Sequence, residues 1–153
     1  MSSVRRLLLV NGPNLNLLGT REPDVYGHET LADVEQLVAA TAHDRGYDVR
    51  SIQSNHEGVL IDRIHAAGAQ YRAGTLLGAV FNPGALTHTS IALHDAIRGV
   101  ELPVIELHIT NVHQRESFRH HSYISPVAAG LIVGLGTAGY EWALRALATK
   151  EVH

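Results

Sequence analysis

The sequence predicts an α/β fold, in which a five-stranded parallel sheet is covered by helices on both faces. Short apolar runs alternate with segments of helical period, which is the pattern of repeated strand–helix units. The runs are apolar throughout rather than at every second residue, as in strands that are buried on both faces. The chain has 153 residues, of which 45% are hydrophobic. We therefore expect one domain, residues 1–153, with a core of its own.

The five predicted strands are the apolar runs bounded by turn-forming residues, at 7–11, 47–53, 75–82, 103–108 and 130–134. The first predicted helix, 31–45, has one apolar face, with Thr30 as its N-cap and Gly46 just past its end. Further helices are predicted at 60–67, 90–98 and 138–150. Gly99 stands where a glycine that ends a helix is expected. The order of these segments is strand and helix in alternation.

Composition excludes several classes of protein. The net charge of −3 provides no basic field for nucleic acid, and without cysteine there is neither a disulfide framework nor a thiolate metal site. No apolar stretch approaches the roughly 20 residues of a membrane-spanning helix. We expect a soluble, cytoplasmic protein with no nucleic-acid or membrane partner.

Polar clusters follow three of the predicted strands, at residues 11–21, 82–88 and 108–119. In doubly wound sheets, ligands bind at the carboxyl ends of the strands, where the strand order switches direction. The segment 109–129 is too polar for core and too long for an ordinary connection, which indicates a functional loop or a short extra helix. The sequence therefore predicts a small-molecule site at this edge of the sheet.

Two further motifs suggest chemistry that we do not favour. "GLGTAG", residues 134–139, matches a dinucleotide fingerprint, but the chain ends before the next strand and its acidic residue, so a tight turn and close helix packing explain it better. Among the eleven histidines, His108 with His113 and His120 with His121 are the conceivable metal ligands. Their spacing is not that of a metal motif, and we predict no metal site.

Two motifs suggest acid–base chemistry. In "GTREPDVYG", a guanidinium at Arg21 near Tyr26 favours the phenolate and can make the tyrosine a base, although a surface loop with a packed ring is the simpler reading of this stretch alone. In "VIELHI", Glu106 and His108 are two apart on a strand and so point to the same side. A buried carboxylate needs a partner, which favours this pairing.

Nearby motifs add groups that can bind a polar ligand. "NPGALTHTS" contributes Asn82 and His88, and Arg119 in "SFRHHS" offers a fork for a carboxylate or hydroxyls. His88 is equally compatible with a structural role at the start of a helix. A receiver module is disfavoured because the first strand ends in "NGPN" without the acidic residues that hold Mg²⁺.

Four blocks in order along nearly the whole chain, "GPNLNLLGTREPDVYG", "FNPGALTHTSIALHDAI", "IELHITNVHQRESFRHHSYISP" and "GLIVGLGTAGYEWAL", together resemble type II 3-dehydroquinate dehydratase. The resemblance implies a flavodoxin-like subunit, a dodecamer built as a tetramer of trimers, and no cofactor. It implies action on 3-dehydroquinate, in the shikimate pathway towards aromatic amino acids or in quinate catabolism.

The resemblance also implies roles for individual catalytic residues. Tyr26 corresponds to the base that takes the C2 proton, with Arg21 keeping it as phenolate. Asn14 corresponds to the holder of a water that stabilises the enolate. His108, oriented by Glu106, corresponds to the acid that protonates the departing hydroxyl.

Substrate binding is implied at a second set of positions. The resemblance assigns it to Asn82, His88, Arg119 and the backbone amides of Ile109 and Thr110. Asp95 corresponds to a residue that reaches into the site of a neighbouring subunit.

Lysine occurs only at Lys150, near the end of the chain, which makes it a poor candidate for the imine chemistry of the other dehydroquinase type. The competing hypothesis of another class is a ligand-binding or flavin-carrying module on the same fold.

Overall fold

A computed structural model describes residues 5–20 and 22–149 of the chain. Its sheet consists of five parallel strands in the order β2-β1-β3-β4-β5. They are β1 (Arg5–Asn11), β2 (Tyr47–Gln53), β3 (Leu76–Asn82), β4 (Val104–His108) and β5 (Gly130–Val133). This is the strand order of flavodoxin-like sheets, and the direction of winding reverses between β1 and β3. The predicted fold is confirmed.

The described residues form five α-helices: α1 (Pro23–Tyr26), α2 (Leu31–Asp44), α3 (Glu57–Arg72), α4 (Ile91–Val100) and α5 (Ala138–Ala148). The first four lie between strands, and α5 follows β5. The short α1 is absent from the prediction, and α3 extends beyond the predicted 60–67 at both ends. The segment 109–129 contains three short 3₁₀ helices, at Val112–Gln114, Ser117–Arg119 and Ser125–Val127. None of the helices in the described ranges is long and apolar enough to cross a membrane.

The helices divide into two layers, each packed on its own core. On one face, Leu7 and Leu9 of β1 contact residues of α2 and α5. On the other face, Leu8 and Val10 contact residues of α3 and α4. Because successive side chains of a strand point to opposite faces, β1 supplies both cores at once. The three central strands are therefore almost wholly buried, whereas the edge strands β2 and β5 are partly exposed, which corrects the expectation of five fully buried strands.

Helix ends follow the predicted chemistry at α2 but not at α4. The Thr30 hydroxyl accepts from Asp33 N over 3.2 Å and the Asp33 carboxylate accepts from Thr30 N over 2.9 Å, a complete capping box. Gly46, at φ +80°, follows the end of α2 as predicted. Gly99 does not end α4: it lies inside the helix, and Glu101, at φ +56°, takes the left-handed conformation instead.

The "GLGTAG" segment forms a tight turn into α5, as expected. Gly134 and Gly136 have positive φ angles of 86° and 64°. A Cβ on Gly139 would lie 3.1 Å from Leu107 Cδ1 and 3.2 Å from Ile132 Cγ2, so the glycine lets α5 pack closely on the sheet. Both features serve packing.

Candidate active site

A cavity of about 270 Å³ opens at the carboxyl ends of β1, β3 and β4, next to the point where the winding reverses. The sequence-predicted residues that line it are Asn14, Tyr26, Asn82, His88, His108, Ile109, Thr110 and Arg119. Residues far apart in the sequence are brought together here because the parallel strands end at one edge. This is the edge at which the polar clusters predicted a site.

Tyr26 forms one side of the cavity from the last position of α1. This helix begins at Pro23, and Gly27, directly after its end, has a φ of +83° that turns the chain away. Arg115 Nη1 donates to the Tyr26 hydroxyl over 2.9 Å, and the guanidinium carbon lies 5.3 Å from the centre of the ring. The predicted partner, Arg21, lies outside the described residues. A cation at the phenol oxygen is therefore supplied by a residue that sequence reasoning did not single out.

His108, the last residue of β4, also lines the cavity, and Glu106 on the same strand lies buried next to it. Glu106 is fully buried and His108 is 7% exposed. His108 Nε2 donates to Glu106 Oε2 over 2.6 Å, as the spacing of two along a strand indicates. With Nε2 committed to the carboxylate, Nδ1 is the imidazole nitrogen that can exchange a proton with a ligand.

The Glu106 carboxyl is held as an anion despite its burial. Burial alone would raise its pKa, but hydrogen bonds from His108, Ser125 and Thr87 outweigh burial and hold the pKa below its usual value. The Ser125 and Thr87 hydroxyls donate over 2.6 and 2.8 Å. The carboxylate therefore remains charged next to His108 and orients the ring.

Asn82 is the last residue of β3, and hydrogen bonds hold its side-chain amide in place. Its Oδ1 accepts from Gly84 N over 3.1 Å and its Nδ2 donates to the Tyr140 hydroxyl over 2.9 Å. Tyr140 in turn donates to Asn11 Oδ1 over 2.6 Å. Burial raises the pKa of the Tyr140 hydroxyl, which keeps it protonated and able to donate. The chain of bonds fixes which way the Asn82 amide faces.

His88 presents one nitrogen for ligand binding. Its Nδ1 donates to the His121 carbonyl over 2.8 Å, so in the neutral ring Nε2 is an acceptor. Burial lowers the pKa of His88, and the charges of His108 and Arg119 act in the same direction. The neutral ring is nearly parallel to that of His108, with 6.4 Å between the ring centres.

Arg119 and Asn14 lie at the rim of the cavity. Arg119 Nε donates to Glu116 Oε2 over 2.6 Å, and its guanidinium carbon lies 4.9 Å from the centre of the Phe118 ring. Asn14 has a left-handed backbone, at φ +69°, and its N–H donates to Asn55 Oδ1 over 3.0 Å. The Arg119 side chain is thereby placed by contacts within its own segment, whereas Asn55 holds the backbone of Asn14.

One predicted residue in the described ranges does not meet the others. Asp95 is exposed on α4 and does not line the cavity of its own subunit. Lys150, like Arg21, lies outside the described residues. In the two ranges that the structure describes, 5–20 and 22–149, no group of three or more His, Asp or Glu side chains is arranged to hold a metal ion.

Sequence reasoning missed Arg115 and the hydroxyls around Glu106, which are Thr87, Ser122 and Ser125. All of them lie within segments already identified as polar, 82–88 and 109–129. The available signal was a buried acidic residue, Glu106, because a buried carboxylate requires donors. Nothing local identified which side chains supply them.

The chain is similar to proteins of one family over almost its entire length. The model of the family described as "Dehydroquinase class II" matches residues 5–148. A 3-dehydroquinate dehydratase of Marinomonas sp. (strain MWYL1) is 63% identical over 144 residues, which are 94% of this chain and 96% of that protein. A catabolic 3-dehydroquinase 2 of Aspergillus flavus is 61% identical over 139 residues, which are 91% and 89%.

A solved structure agrees with these sequence matches. The crystal structure of type II dehydroquinase from Butyrivibrio crossotus DSM 2876 matches with a TM-score of 0.89 and 43% identity, over 97% of this chain and 100% of that one.

Proposed function

The chain belongs to the class II dehydroquinase family, and we propose that it removes water from 3-dehydroquinate through an enolate, with Tyr26 as the base and His108 as the acid. The product is 3-dehydroshikimate. One observation carries this assignment: the Tyr26 phenol beside the Arg115 cation and the His108 imidazole line the same cavity, and the buried Glu106 carboxylate contacts that imidazole. These two pairs are the base and the acid that an elimination of water requires.

The first step is removal of the proton at C2, which the ketone at C3 makes acidic. The Tyr26 phenolate takes this proton, and the electron pair of the C–H bond moves onto the C3 oxygen. The Arg115 guanidinium supports the role because its Nη1 donates to the phenol oxygen over 2.9 Å, which holds that oxygen in place beside the cavity. Arg21, the cation that the family resemblance assigns to this tyrosine, is a second candidate for the same effect.

The enolate oxygen needs a hydrogen-bond donor as its charge develops. Asn14 is the candidate, through a water molecule, because it lines the same cavity as Tyr26 and the family resemblance assigns it this role.

The second step is departure of the C1 hydroxyl. The enolate electrons return to form the C1–C2 double bond, the C1–O bond breaks, and His108 Nδ1 gives its proton so that water leaves. Glu106 supports this step because its contact with Nε2 fixes the ring and leaves Nδ1 for the substrate. Tyr26 has gained one proton and His108 has lost one, so the enzyme resets by exchanging them with solvent.

The substrate is held by the remaining residues of the cavity. Asn82 and His88 provide an amide and an acceptor nitrogen for hydroxyl groups, and Arg119 provides a fork for oxygen atoms. The backbone amides of Ile109 and Thr110, directly after β4, are candidates for the substrate carboxylate. Asp95, exposed on α4, would act in the site of a neighbouring subunit, in a dodecamer assembled from trimers.

Purified protein mixed with 3-dehydroquinate tests the activity. We expect ultraviolet absorbance to rise as the conjugated double bond forms, with no added flavin or metal salt, and the product to be 3-dehydroshikimate by mass and retention time. A colourless protein that converts 3-dehydroquinate excludes the hypothesis of a flavin-carrying module. A protein that binds flavin mononucleotide and leaves 3-dehydroquinate unchanged would contradict the proposal.

A further inference from the structure

Three hydroxyl groups surround Glu106, and none of them has a part in the elimination described above. Thr87 donates to Oε2 over 2.8 Å, Ser125 donates to Oε1 over 2.6 Å, and Ser122 donates to both oxygens over 3.0 Å. Thr87 precedes His88, whereas Ser122 and Ser125 belong to the segment after Arg119. None of the three lines the substrate cavity. Their contacts with the carboxylate are therefore made outside the cavity lining.

The Ser122 hydroxyl can act only as a donor to Glu106. Its oxygen already accepts from the backbone N–H groups of Ile124 and Ser125, both over 3.0 Å. A hydroxyl has two acceptor positions and one hydrogen, so its hydrogen is what remains for the carboxylate and for the Thr87 hydroxyl, which lies 2.9 Å away and itself donates to Glu106. A protonated Glu106 would find no acceptor at Ser122. The arrangement therefore favours the ionised carboxylate over the neutral acid.

The two carboxylate oxygens have different partners. Both accept from Ser122, but Oε2 also accepts from His108 and Thr87, whereas Oε1 also accepts from Ser125. Rotation of the carboxylate about its Cγ–Cδ bond would break the contact to Ser125 and move Oε2 away from His108. Ser125 thus holds the carboxylate plane in the orientation that aims Oε2 at Nε2.

We propose that Ser122 and Ser125 are positioning residues for proton donation by His108: they keep Glu106 ionised and in one orientation, so that the imidazole presents Nδ1 to the substrate. This inference rests on the proposed role of His108 as the acid. His88, from the Gly84–His88 turn, is the other titratable group that faces this pair, and Arg119 faces His88. Neither contacts the serine hydroxyls.

Ser125→Ala is the informative variant, with Ser125→Thr as its matched control that keeps a hydroxyl. Ser122 is less suitable because its oxygen also binds two backbone N–H groups. We expect Ser125→Ala to lower kcat by roughly 10-fold, as for loss of a hydrogen bond to a charged group, with KM unchanged. Without this donor Glu106 is protonated at higher pH, so the acid limb of kcat moves to higher pH. Ser125→Thr should restore most of the rate.

A double-mutant cycle separates positioning from general disruption. If Ser125 acts through the charge of Glu106, Ser125→Ala costs nothing further in a Glu106→Gln background. The same 10-fold loss in both backgrounds, or a wild-type pH profile for Ser125→Ala, overturns the inference.

Infrared difference spectra give a readout besides activity. In Ser125→Ala, the stretching band of a protonated carboxyl should appear at higher pH than in wild type, and Glu106→Gln identifies that band by removing it. An unchanged band contradicts the inference while leaving the proposed function intact. A wild-type protein that does not convert 3-dehydroquinate, or a fully active His108→Ala variant, contradicts the proposed function instead.

Discussion

Arg115 Nη1 lies 2.9 Å from the Tyr26 hydroxyl, although the two residues are 89 positions apart in the sequence. The contact joins α1, after the first strand, to the polar segment after the fourth. It places the positive charge of Arg115 next to the hydroxyl of the proposed base, Tyr26. The same guanidinium also donates to the Thr110 hydroxyl over 3.3 Å, so Arg115 links the tyrosine to a residue of the candidate carboxylate site.

Replacing Arg115 should therefore impair the removal of the C2 proton. We expect Arg115→Met to lower kcat by about 10-fold or more, because a hydrogen bond and a charge are lost together. Arg115→Lys keeps the charge without the fork and should rescue only part of the rate. Steady-state kinetics with circular dichroism as the control for folding will test this. Equal rates for Arg115→Met and wild type would show that Arg115 is not the cation that stabilises the Tyr26 phenolate.

Tyr26→Phe removes one oxygen and leaves the packing of the ring. We expect kcat to fall by about 10²–10⁴-fold, the usual contribution of a positioned base, while the free energy of unfolding changes by no more than about 1 kcal/mol. Exchange of the C2 proton of 3-dehydroquinate for deuterium, followed by NMR, measures the step directly. Near-normal exchange in the variant would show that Tyr26 is not the base. His88 would then be the next candidate to test.

His108→Ala should lower kcat by about 10²–10⁴-fold, because the leaving hydroxyl loses its proton donor. Glu106→Gln should lose less, since the imidazole remains but is poorly oriented. The comparison is best made as kcat against pH for the two variants and wild type. A Glu106→Gln enzyme with the wild-type profile would show that the 2.6 Å contact does not serve catalysis.

His88 should remain a neutral acceptor at pH values where an ordinary histidine is already charged. Its pKa is lowered from 6.5, with burial as the main cause, so protonation on acidification is delayed. KM for 3-dehydroquinate should hold its neutral-pH value as the pH falls to 6.5 and rise only at lower pH. Glutamine does not titrate, so the His88→Gln variant should have a higher KM than wild type at neutral pH. Its KM should not increase further as the pH falls. A wild-type KM that already climbs above 6.5 would contradict the neutral ring.

Asp95 can be tested by mixing subunits. If it acts in a neighbour's site, an oligomer containing Asp95→Ala subunits and Tyr26→Phe subunits regains activity, because some sites combine an intact Tyr26 with an intact Asp95. The two variants are unfolded together, refolded and assayed, with each variant refolded alone as the control. A mixture no more active than its components, or an active monomer by light scattering, would remove Asp95 from the site.

Local periodicity explains which parts of the site could be predicted. Glu106 and His108 are two apart on one strand, and their contact follows from the geometry of an extended chain. Arg115 could not be assigned to Tyr26, because that contact depends on how two long connections fold over one edge of the sheet. The contacts of Ser122 and Ser125 with Glu106 could not be predicted for the same reason. Gly99 was misassigned as the end of α4 because its residue type matched, whereas packing continued the helix to Val100.

The order of the strands has a consequence for how the protein becomes active during its synthesis. The base is on a segment that follows β1, whereas the acid and Arg115 come from β4 and the segment after it. β1 pairs with β2 and β3, so it can begin to form its sheet early, but the walls of the cavity meet only once residues near 119 have left the ribosome. Contacts of such long sequence separation form late and slowly. The return of turnover after denaturation therefore reports the meeting of segments that are distant in the sequence rather than formation of the first helices.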